Sequence, residues 1–521
     1  MGLVGSVGRR RPRARFAIGC LYLVLAAGAL TTLYPFALML STGFKGPTDQ
    51  NDNRLIPAFW SDTESKDETG KPSEGSLYWK YVNDKYAGDL SQIDSTRIGS
   101  DASQESVQRY GEFLMGLAPD LWQAGFRTAP NQLVSKLTMR YQAWLRERYS
   151  TIEELNRAYI EENVAFQSVA PPTEMFERPV WSPPDTRKFR EWLEFKRGLP
   201  AEFRIPVRAE RMYQEFLRRK YQNQIGSVPK EASGGAAKFE AIRMPSAGAA
   251  LDEFRRTGLP ERYRGRTVEE LWARPDSGPL PIEGFERATV RERGSELRNE
   301  FSTRNYRFVL DYMLLHGRAV WNTALFCLLA ILTQLTVNPL AAYALSRYPM
   351  RASAKILLFL LATMAFPAEV ALIPSFLLLK DLGMLNTFAA LVLPAAASGY
   401  MIFLLKGFFD SLPQELYEAG QMDGARESTM MFRVTLPLAK PVLGYMALLA
   451  FMGAYGAFMY AFLVCQDQRM WTLMVWIYQL QIVAPKAVMM AALTLAAIPT
   501  LVVFLLAQDV IMRGIVLPGE R

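Results

Sequence analysis

The chain has 521 residues, half of them hydrophobic, and a formal net charge of +8. Its three cysteines lie in or beside apolar segments and His316 is the only histidine, which excludes a histidine or cysteine metal site and a histidine-based triad. The basic excess lies at the N-terminus and in short loops that flank apolar runs, a pattern of membrane proteins rather than of nucleic-acid binders. We predict no metal and no cofactor.

The first predicted element is an apolar run from about Phe16 to Leu40, preceded by an arginine-rich N-terminus. Roughly 20 helical residues cross the hydrocarbon core of a bilayer, so this run is long enough to span it. No small-x-small cleavage site follows, so we expect an uncleaved anchor rather than a signal peptide. The arginines place the N-terminus in the cytoplasm and the chain from residue 41 onward outside.

Residues 41–315 are polar and carry equal numbers of basic and acidic residues, and the turn-forming residues at 61–75 predict a linker. The segment is long enough to fold around its own core, and alternating strand-like runs are scarce. We therefore predict a mainly helical extracytoplasmic domain. Amphipathic helical patterns lie near 106–117, 131–148, 151–162, 186–197, 207–222 and 286–312.

A short internal echo occurs within this block. Residues 141–149 and 213–221 share the pattern Tyr-Gln-x-aromatic-Leu-Arg-x-basic-Tyr. Two explanations are open: a duplicated helical hairpin, or two amphipathic helices of similar composition. Directly after the first copy, we predict a helix with Ser150 as its N-cap and Glu153 closing a capping box.

Five further apolar spans are predicted after the polar block. The loops at 346–355 and 408–440 are basic and are predicted to be cytoplasmic, which gives six spans with both termini inside. The predicted organisation is 1–45 for the N-terminus and first span, 46–315 for the insertion, and 316–521 for the membrane core. The five spans are Ala319–Leu345, Ile356–Leu379, Thr387–Leu405, Pro441–Val464 and Ala487–Ala507.

The long loop at 408–440 contains the sequence EAGQMDGARESTMMFRVTLP from Glu418 to Pro437. Leu416–Met422 has no helix breaker and predicts a short helix, and Gly424 after Asp423 permits a tight turn. Arg426–Thr435 predicts a second helix, and a proline suits the first turn of the helix that follows. The segment therefore predicts a compact helix–turn–helix between two spans.

The skeleton of this segment resembles the EAA loop of binding-protein-dependent ABC importer permeases, which docks on the ATP-hydrolysing subunit. The resemblance implies that Glu418 sits in a groove of that subunit. Gly420 stands where the family has a second alanine. The matching residues are Glu418, Ala419, Gly420, Asp423, Gly424, Val434, Leu436 and Pro437.

The resemblance extends to residues 301–521, which look like the maltose-type (carbohydrate) permease subunit, and to 16–45. It implies an all-α membrane protein with six transmembrane helices of the type I ABC importer permease kind, in the cell inner membrane. The implied partners are two ATPase subunits, a second permease, an extracytoplasmic solute-binding protein and a carbohydrate-like solute. No P-loop sequence occurs, so the chain is predicted not to be an enzyme and to need a separate ATPase.

Three residues are candidates for the solute path. Glu369 lies within an apolar span, where a carboxylate either faces the path or pairs structurally at the helix break between Pro367 and Pro374. The family's polar pair in the fifth span is replaced here by Gly456-Ala457. Tyr455 and Tyr460 flank that stretch, and their rings either stack on a sugar or pack against neighbouring helices.

The insertion leaves two further hypotheses open. The protein could be a membrane-anchored glycan-binding or glycan-cleaving protein that acts through 46–315, which would require a pair of carboxylates in a cleft. Alternatively, the insertion could be a docking platform for the solute-binding protein, which is compatible with transport and is our preferred reading of this segment.

Overall fold

We describe the protein from a computed structural model, which divides into two compact units, Met1–Arg304 and Asn305–Arg521. The N-terminal arginines up to Arg11, His316 and most of the predicted linker at 61–75 lie outside the described residues. The structure describes residues 12–64, 73, 75–89, 103–127, 135–163, 165–178, 180–273, 278–311, 313, 318–348, 351–363 and 367–514.

The first unit begins with helix α1, Pro12–Gly43, which contains the first predicted span. Its apolar stretch Ile18–Gly43 has a mean hydropathy of 1.9, and the chain itself buries none of the most apolar part of it. A helix that is apolar all round needs lipid or another protein around it. Its composition and exposure therefore agree with a membrane-spanning segment.

The insertion is helical, as predicted, with one small sheet. Strands β1 (Trp122–Ala124) and β2 (Arg204–Pro206) pair antiparallel, with Trp122 opposite Pro206. The helices are α2 Leu77–Lys85, α3 Gln104–Gly116, α4 Lys136–Arg148, α5 Ile152–Tyr159, α6 Arg187–Arg197, α7 Ala209–Lys220, α8 Lys230–Ser233, α9 Ala249–Glu253, α10 Val268–Trp272, α11 Ile282–Glu292 and α12 Gly294–Leu310.

Serine and threonine caps fix the starts of many of these helices, since each hydroxyl accepts a backbone N–H that has no partner within the helix. For α5 the prediction was one residue early. Its N-cap is Thr151, which accepts from the Glu154 backbone N–H, while the Ser150 backbone N–H donates to the Glu154 carboxylate. The caps are Ser76, Ser103, Ser135, Thr151, Thr186 and Thr267.

The core of the insertion combines aromatic rings with buried ion pairs. Trp122 and Trp192 are fully buried, and the Glu174 carboxylate lies beside them without any solvent exposure. The Glu174 carboxylate accepts hydrogen bonds from Lys196 Nζ at 2.5 Å and from the Trp192 indole N–H at 3.1 Å, and it forms an ion pair with Arg127. The buried carboxylate and ammonium are paired inside the fold, since Lys196 Nζ also donates to the Pro119 and Trp122 carbonyls, so the cluster stabilises the domain instead of offering a site.

The structure favours duplication as the origin of the internal echo. In helix α4 the Gln142 amide donates to the Val169 carbonyl at 3.1 Å, and in α7 the equivalent Gln214 donates to the Ile242 carbonyl at 2.9 Å. Both acceptors directly follow a short 3₁₀ turn, Phe166–Ser168 or Phe239–Ala241. Similar composition alone would not reproduce a long-range hydrogen bond in each copy.

The similarity between the two copies continues beyond the 3₁₀ turn. Helix α6 is followed by Gly-Leu-Pro at 198–200, and helix α9 continues into a π-helix, Phe254–Gly258, whose last residue begins the Gly-Leu-Pro at 258–260. The related segments therefore extend well past the two helices that the sequence pattern identified.

The second unit is helical throughout its described residues. Two of its helices, over Ala319–Arg347 and Lys486–Gln508, are long and apolar enough to cross a membrane. Its helices are α13 Ala319–Arg347, α14 Ser353–Thr363, α15 Ala368–Asp381, α16 Phe388–Val392, α17 Gly399–Asp410, α18 Glu415–Met422, α19 Glu427–Thr429, α20 Leu436–Leu438, α21 Lys440–Tyr455, α22 Met459–Val464, α23 Leu473–Val483 and α24 Lys486–Gly514.

Two further pairs of helices are apolar enough to cross a membrane together, each bent at a short break, as in a broken span or a re-entrant loop. Phe388–Ala395 and Gly399–Asp410 meet at 51°, and Glu427–Leu438 and Lys440–Tyr455 at 80°. With α1, the described residues thus contain three straight candidate spans and up to five in total. The third predicted span, Ile356–Leu379, is two shorter helices, α14 and α15, on either side of residues that are not described. Six spans therefore stay a prediction.

Helix α23 was not predicted. It is apolar and 11 residues long, too short to cross a bilayer at 1.5 Å per residue. Its start is fixed to helix α13, because the Leu473 backbone N–H donates to Thr323 Oγ1 at 2.7 Å and the Asn322 amide donates to the Arg469 and Trp471 carbonyls. It lies between the fifth and sixth predicted spans.

Candidate functional site

The segment Glu418–Pro437 folds as the predicted helix–turn–helix. Helix α18 ends at Met422, and the chain then turns at Gly424, which has a φ of +72°. The Ala425 backbone N–H donates to the Gly420 carbonyl at 2.9 Å across the turn. A side chain at position 424 would be strained in this left-handed conformation, so the turn requires glycine.

The second helix departs from simple α-helical winding. It begins as α19, widens into a π-helix over Met430–Thr435, and returns to α-helix as α20. The extra residue of a π-turn shifts the following side chains around the axis. Thr435 is buried within this stretch, and its hydroxyl hydrogen-bonds to the Met430 carbonyl at 3.1 Å.

A buried hydrogen bond joins the two helices of the motif. The hydroxyls of Tyr417 and Thr435 lie 2.8 Å apart. The guanidinium of Arg347, at the end of α13, stacks on the Tyr417 ring at 3.6 Å from its centroid and donates to the Phe409 carbonyl of α17. The Tyr343 hydroxyl donates to Glu427 at 2.9 Å. The helix pair is thereby fixed to the ends of two apolar helices and can move with them.

The glycine in place of the family's second alanine has a structural explanation. A Cβ at Gly420 would lie 2.5 Å from the Met430 sulfur, which is closer than atoms pack. Met430 is buried and fills the space that an alanine side chain would otherwise need. The Gly420 backbone thus packs closely against Met430 from the second helix of the same motif.

The outward face of the motif combines charge with exposed apolar side chains. Glu418, Ala419 and Asp423 are exposed, and Glu418 accepts a hydrogen bond from the Gln414 amide at 2.9 Å. Met422 is 89% exposed and Phe432 is 61% exposed. Exposed apolar side chains rimmed by polar groups are typical of protein–protein interfaces. Met422 lies one helical turn after Glu418 on α18, so this helix can bind another protein through an apolar side chain next to a carboxylate.

The predicted motif residues divide between the packed side and the exposed side of the helix–turn–helix. Gly420, Val434 and Leu436 face the packed side to differing degrees, whereas Gly424 and Pro437 are exposed with the charged residues. The sequence reasoning missed the buried residues Tyr417, Met430 and Thr435 and the exposed Met422 and Phe432. Helical periodicity over residues 415–422 could have predicted that Tyr417 is buried while its neighbours are exposed.

Of the three predicted solute-path residues, only the two tyrosines have described side chains, and only one of these tyrosines lines a cavity of the membrane core. Tyr460 borders a cavity of about 380 Å³, and its hydroxyl donates to the Ala390 carbonyl at 2.5 Å. Tyr455 donates to the Ala496 carbonyl at 2.6 Å and stacks on Phe451, and it does not line the cavity. Glu369 lies in helix α15, but its side chain is outside the described part of the structure.

Two polar side chains that the sequence did not indicate, Gln334 and Ser375, also line the cavity. Gln334 belongs to helix α13, and its buried Oε1 has no hydrogen-bond partner among the described residues. The walls are otherwise mostly apolar, with the small residues Ala450, Gly453 and Ala454 of α21 leaving the space open. A buried acceptor without a partner is costly, so this amide is suited to a polar group that enters the cavity.

Comparison with known proteins supports the same segment of the chain. A family model described as "Binding-protein-dependent transport system inner membrane component" matches residues 338–516, which include the whole helix–turn–helix.

Among curated proteins, the chain is similar to three permeases. It is 35% identical over 218 residues to the trehalose/maltose transport system permease protein MalG of Thermococcus litoralis, covering 40% of this chain and 78% of the relative. It is 30% identical to the sulfoquinovosyl glycerol transport system permease protein SmoH of Agrobacterium fabrum, covering 39% and 72%. It is 31% identical to the probable ABC transporter permease protein YurM of Bacillus subtilis, covering 37% and 64%.

Proposed function

We propose how this chain works from the premise that it belongs to the family of binding-protein-dependent transport system inner membrane components. It is a membrane-spanning permease subunit of an ATP-driven ABC importer for a carbohydrate or related solute. It works with an ATPase, a second permease and a solute-binding protein. Our finer proposals are six spans, two separate ATPase subunits, cytoplasmic termini and an extracytoplasmic insertion.

The single observation that carries the docking proposal is the exposed face of the EAA-like loop, which spans residues 408–440. Glu418, Met422 and Phe432 project from a helix pair whose inner side is fixed by Tyr417 and Thr435. In our proposal Glu418 forms a charge-assisted contact with a basic group of the ATPase, and the two apolar side chains fill its groove. Closure of the ATPase then pulls on α13 and α17 through the buried side of the motif.

The test uses the assembled transporter in proteoliposomes. Glu418→Gln removes the charge with no change of shape, and Glu415→Gln is the matched control on the same exposed helix. We expect Glu418→Gln to lower transport roughly tenfold, for a lost contact of about 1.4 kcal/mol, while Glu415→Gln transports normally. Gly424→Val should have a larger effect, since it strains the turn. Normal coupling of ATP hydrolysis to transport in both Glu418→Gln and Gly424→Val would refute the docking proposal.

For the solute path, we propose that the cavity beside α13 admits part of a carbohydrate-like solute. Gln334 would donate or accept one hydrogen bond to a hydroxyl, and the Tyr460 ring would form an apolar wall. Tyr455 and Glu369 are the weaker candidates, the first because its hydroxyl is already used by Ala496. Gln334→Leu should raise the solute concentration needed for half-maximal transport at unchanged protein abundance. An unchanged value would exclude this residue from the path.

The insertion is proposed to be a docking platform for the solute-binding protein. The alternative, a glycan-binding or glycan-cleaving protein that acts through 46–315, has no support from the relatives above, which are transport permeases by name. Deleting the insertion and joining its ends would separate these roles. We expect loss of stimulation by the binding protein with ATP hydrolysis retained. Stimulation that survives the deletion would contradict the platform.

A further inference from the structure

One surface of the insertion lies directly beside the end of the first span. The Arg54 carbonyl accepts hydrogen bonds from Ser41 Oγ at 2.9 Å and from Lys45 Nζ at 2.7 Å. Ser41 belongs to the last turn of α1, within the apolar stretch that ends at Gly43. The chain at Arg54 is therefore fixed beside the last turn of α1.

The residues that follow Arg54 are apolar and exposed. Ile56 is 68% exposed, Leu55 beside it is also exposed, and so is the ring of Trp60. The Arg54 side chain is exposed as well. A cation, two aliphatic side chains and a tryptophan in one short loop are the residue types that favour the boundary between headgroups and acyl chains.

Hydrogen bonds join the loop to the rest of the fold at both ends, which orders its exposed side chains. At the near end, Lys45 is fully buried and also pairs with Asp52. At the far end, the Phe59 carbonyl accepts from Arg298 at 3.1 Å, and the Trp60 indole N–H donates to Ser302 at 2.8 Å. A surface that is already ordered loses little conformational entropy when it binds.

We infer that the loop Arg54–Trp60 is a membrane-interface anchor, with Leu55 and Ile56 inserted at the headgroup boundary and Arg54 beside the lipid phosphates. Trp60 would lie at the same level, above α1. The anchor would hold the insertion against the bilayer next to the first span. This inference rests on α1 crossing the membrane, which is part of the proposed function.

The test measures lipid contact with a single fluorescent label on the full chain in vesicles. Cys327 and Cys465 are buried and stay in place, while Cys20, exposed on α1, is replaced by serine. The label is attached at Ile56→Cys in that background. The vesicles contain lipids that carry a nitroxide quencher either near the headgroup or near the chain end.

We expect the nitroxide near the headgroup to lower the Ile56→Cys emission roughly twofold, and the deep nitroxide to lower it less, as for side chains at the headgroup boundary. The matched control is Ile160→Cys, at an apolar residue after helix α5 of the insertion that is 93% exposed. Its emission should be quenched by aqueous iodide and not by the lipids.

The native Cys20, labelled in the unmodified chain, distinguishes failure of the anchor from failure of the span. Quenching of Cys20 by lipid together with iodide quenching of Ile56→Cys would overturn the anchor and leave the span intact. Protection of Ile56→Cys from both quenchers would mean that a protein partner covers the loop, which also overturns the anchor. A Cys20 label that the lipids do not quench would refute the membrane-spanning role of α1 itself.

Discussion

The insertion and the EAA-like loop use the same residue types in opposite ways. In the insertion, Glu174 and Lys196 have no solvent exposure and bind each other at 2.5 Å. In the loop, Glu418 lies in solvent beside an exposed methionine, while the polar Tyr417 and Thr435 are buried. A charge that is buried and fully paired has no capacity left for a partner, whereas exposed charges next to apolar side chains do.

The comparison separates residues that specify a fold from residues that bind. Neither charge nor hydrophobicity alone makes that distinction, because both regions contain both. What differs is whether each group already has its partner inside the chain. If this reading is right, substitutions in the insertion core should change stability first, and substitutions on the outer face of the loop should change activity at constant stability.

The largest expected effect comes from breaking the buried pair. Glu174→Gln leaves the Lys196 ammonium buried without its counter-charge, and losing one partner of a buried pair costs about 3–5 kcal/mol. We expect this loss in the free energy of unfolding of the insertion, measured by urea titration of the purified chain with tryptophan fluorescence. Trp122 and Trp192 lie in the same cluster and will report it.

The matched control is the Lys220–Glu253 pair of the same domain, whose two side chains are more than one-third exposed. Glu253→Gln should cost about 0–1 kcal/mol, as for other surface pairs. Equal losses for the two variants would show that burial does not set the energetic role of these charges, and the contrast drawn between the two regions would fail.

Acid should affect the insertion through the same carboxylate. Burial alone would raise the pKa of Glu174, but the charges of Lys196 and Arg127 outweigh burial and hold that pKa below its ordinary value. A carboxyl group whose folded pKa is depressed stabilises the fold above its unfolded pKa, about 4.3, and loses this contribution as the pH falls through the folded value.

We therefore expect the midpoint temperature of thermal unfolding of the insertion to decrease once the pH is lowered below about 4. The fall should be shallower in Glu174→Gln, which has no carboxyl group to protonate at this position. Thermal scans of the two proteins between neutral and acidic pH will measure the difference. Parallel curves would mean that other carboxylates dominate the acid response.

The sequence predicted the helices of the insertion better than the tertiary contacts between their side chains. The periodic apolar residues of 131–148 predicted α4, and the structure has it at Lys136–Arg148, because a helix face follows from local spacing alone. Glu174 and Lys196 come together only through tertiary packing, and nothing in their local sequence marks them as a pair. The hydrogen bonds of Gln142 and Gln214 also depend on tertiary packing. The sequence alone therefore left open whether the internal echo is a duplication, and the structure favours duplication because both hydrogen bonds are present.

In the membrane core, bends and breaks in the helices limited how well the spans could be predicted from the sequence. Hydropathy located the apolar runs, but it does not register a bend, so the fourth predicted span emerged as two helices meeting at 51°, and the fifth as α21 and α22 with a break between Tyr455 and Met459. Helix α23 was missed because its apolar stretch is shorter than a span. In the EAA-like loop, the motif residues could be predicted from the resemblance to the family. The hydrogen bond between Tyr417 and Thr435 could not, because Thr435 lies in a π-helix that the sequence did not predict.

A smaller effect is expected inside the loop at Gly420. Alanine there has the better helix propensity by about 1 kcal/mol, but its Cβ displaces the Met430 side chain, and overpacking costs about 1–3 kcal/mol. We expect Gly420→Ala to be destabilising by about 1 kcal/mol on balance. The double variant with Met430→Ala should remove the clash, so the two changes should not add. Additive losses, measured as a double-mutant cycle of unfolding, would mean that the two residues are independent.

The smallest stability effect should accompany a clear loss of activity. Met422→Ser changes a side chain that is 89% exposed, so the free energy of unfolding should stay within about 0.5 kcal/mol. If Met422 fills an apolar groove of the ATPase, the same change should weaken co-purification of that subunit. Val180→Ser, at an equally exposed apolar residue of the insertion, should alter neither stability nor assembly. The two variants remove similar exposed surface, so a difference in assembly between them can only come from where that surface lies.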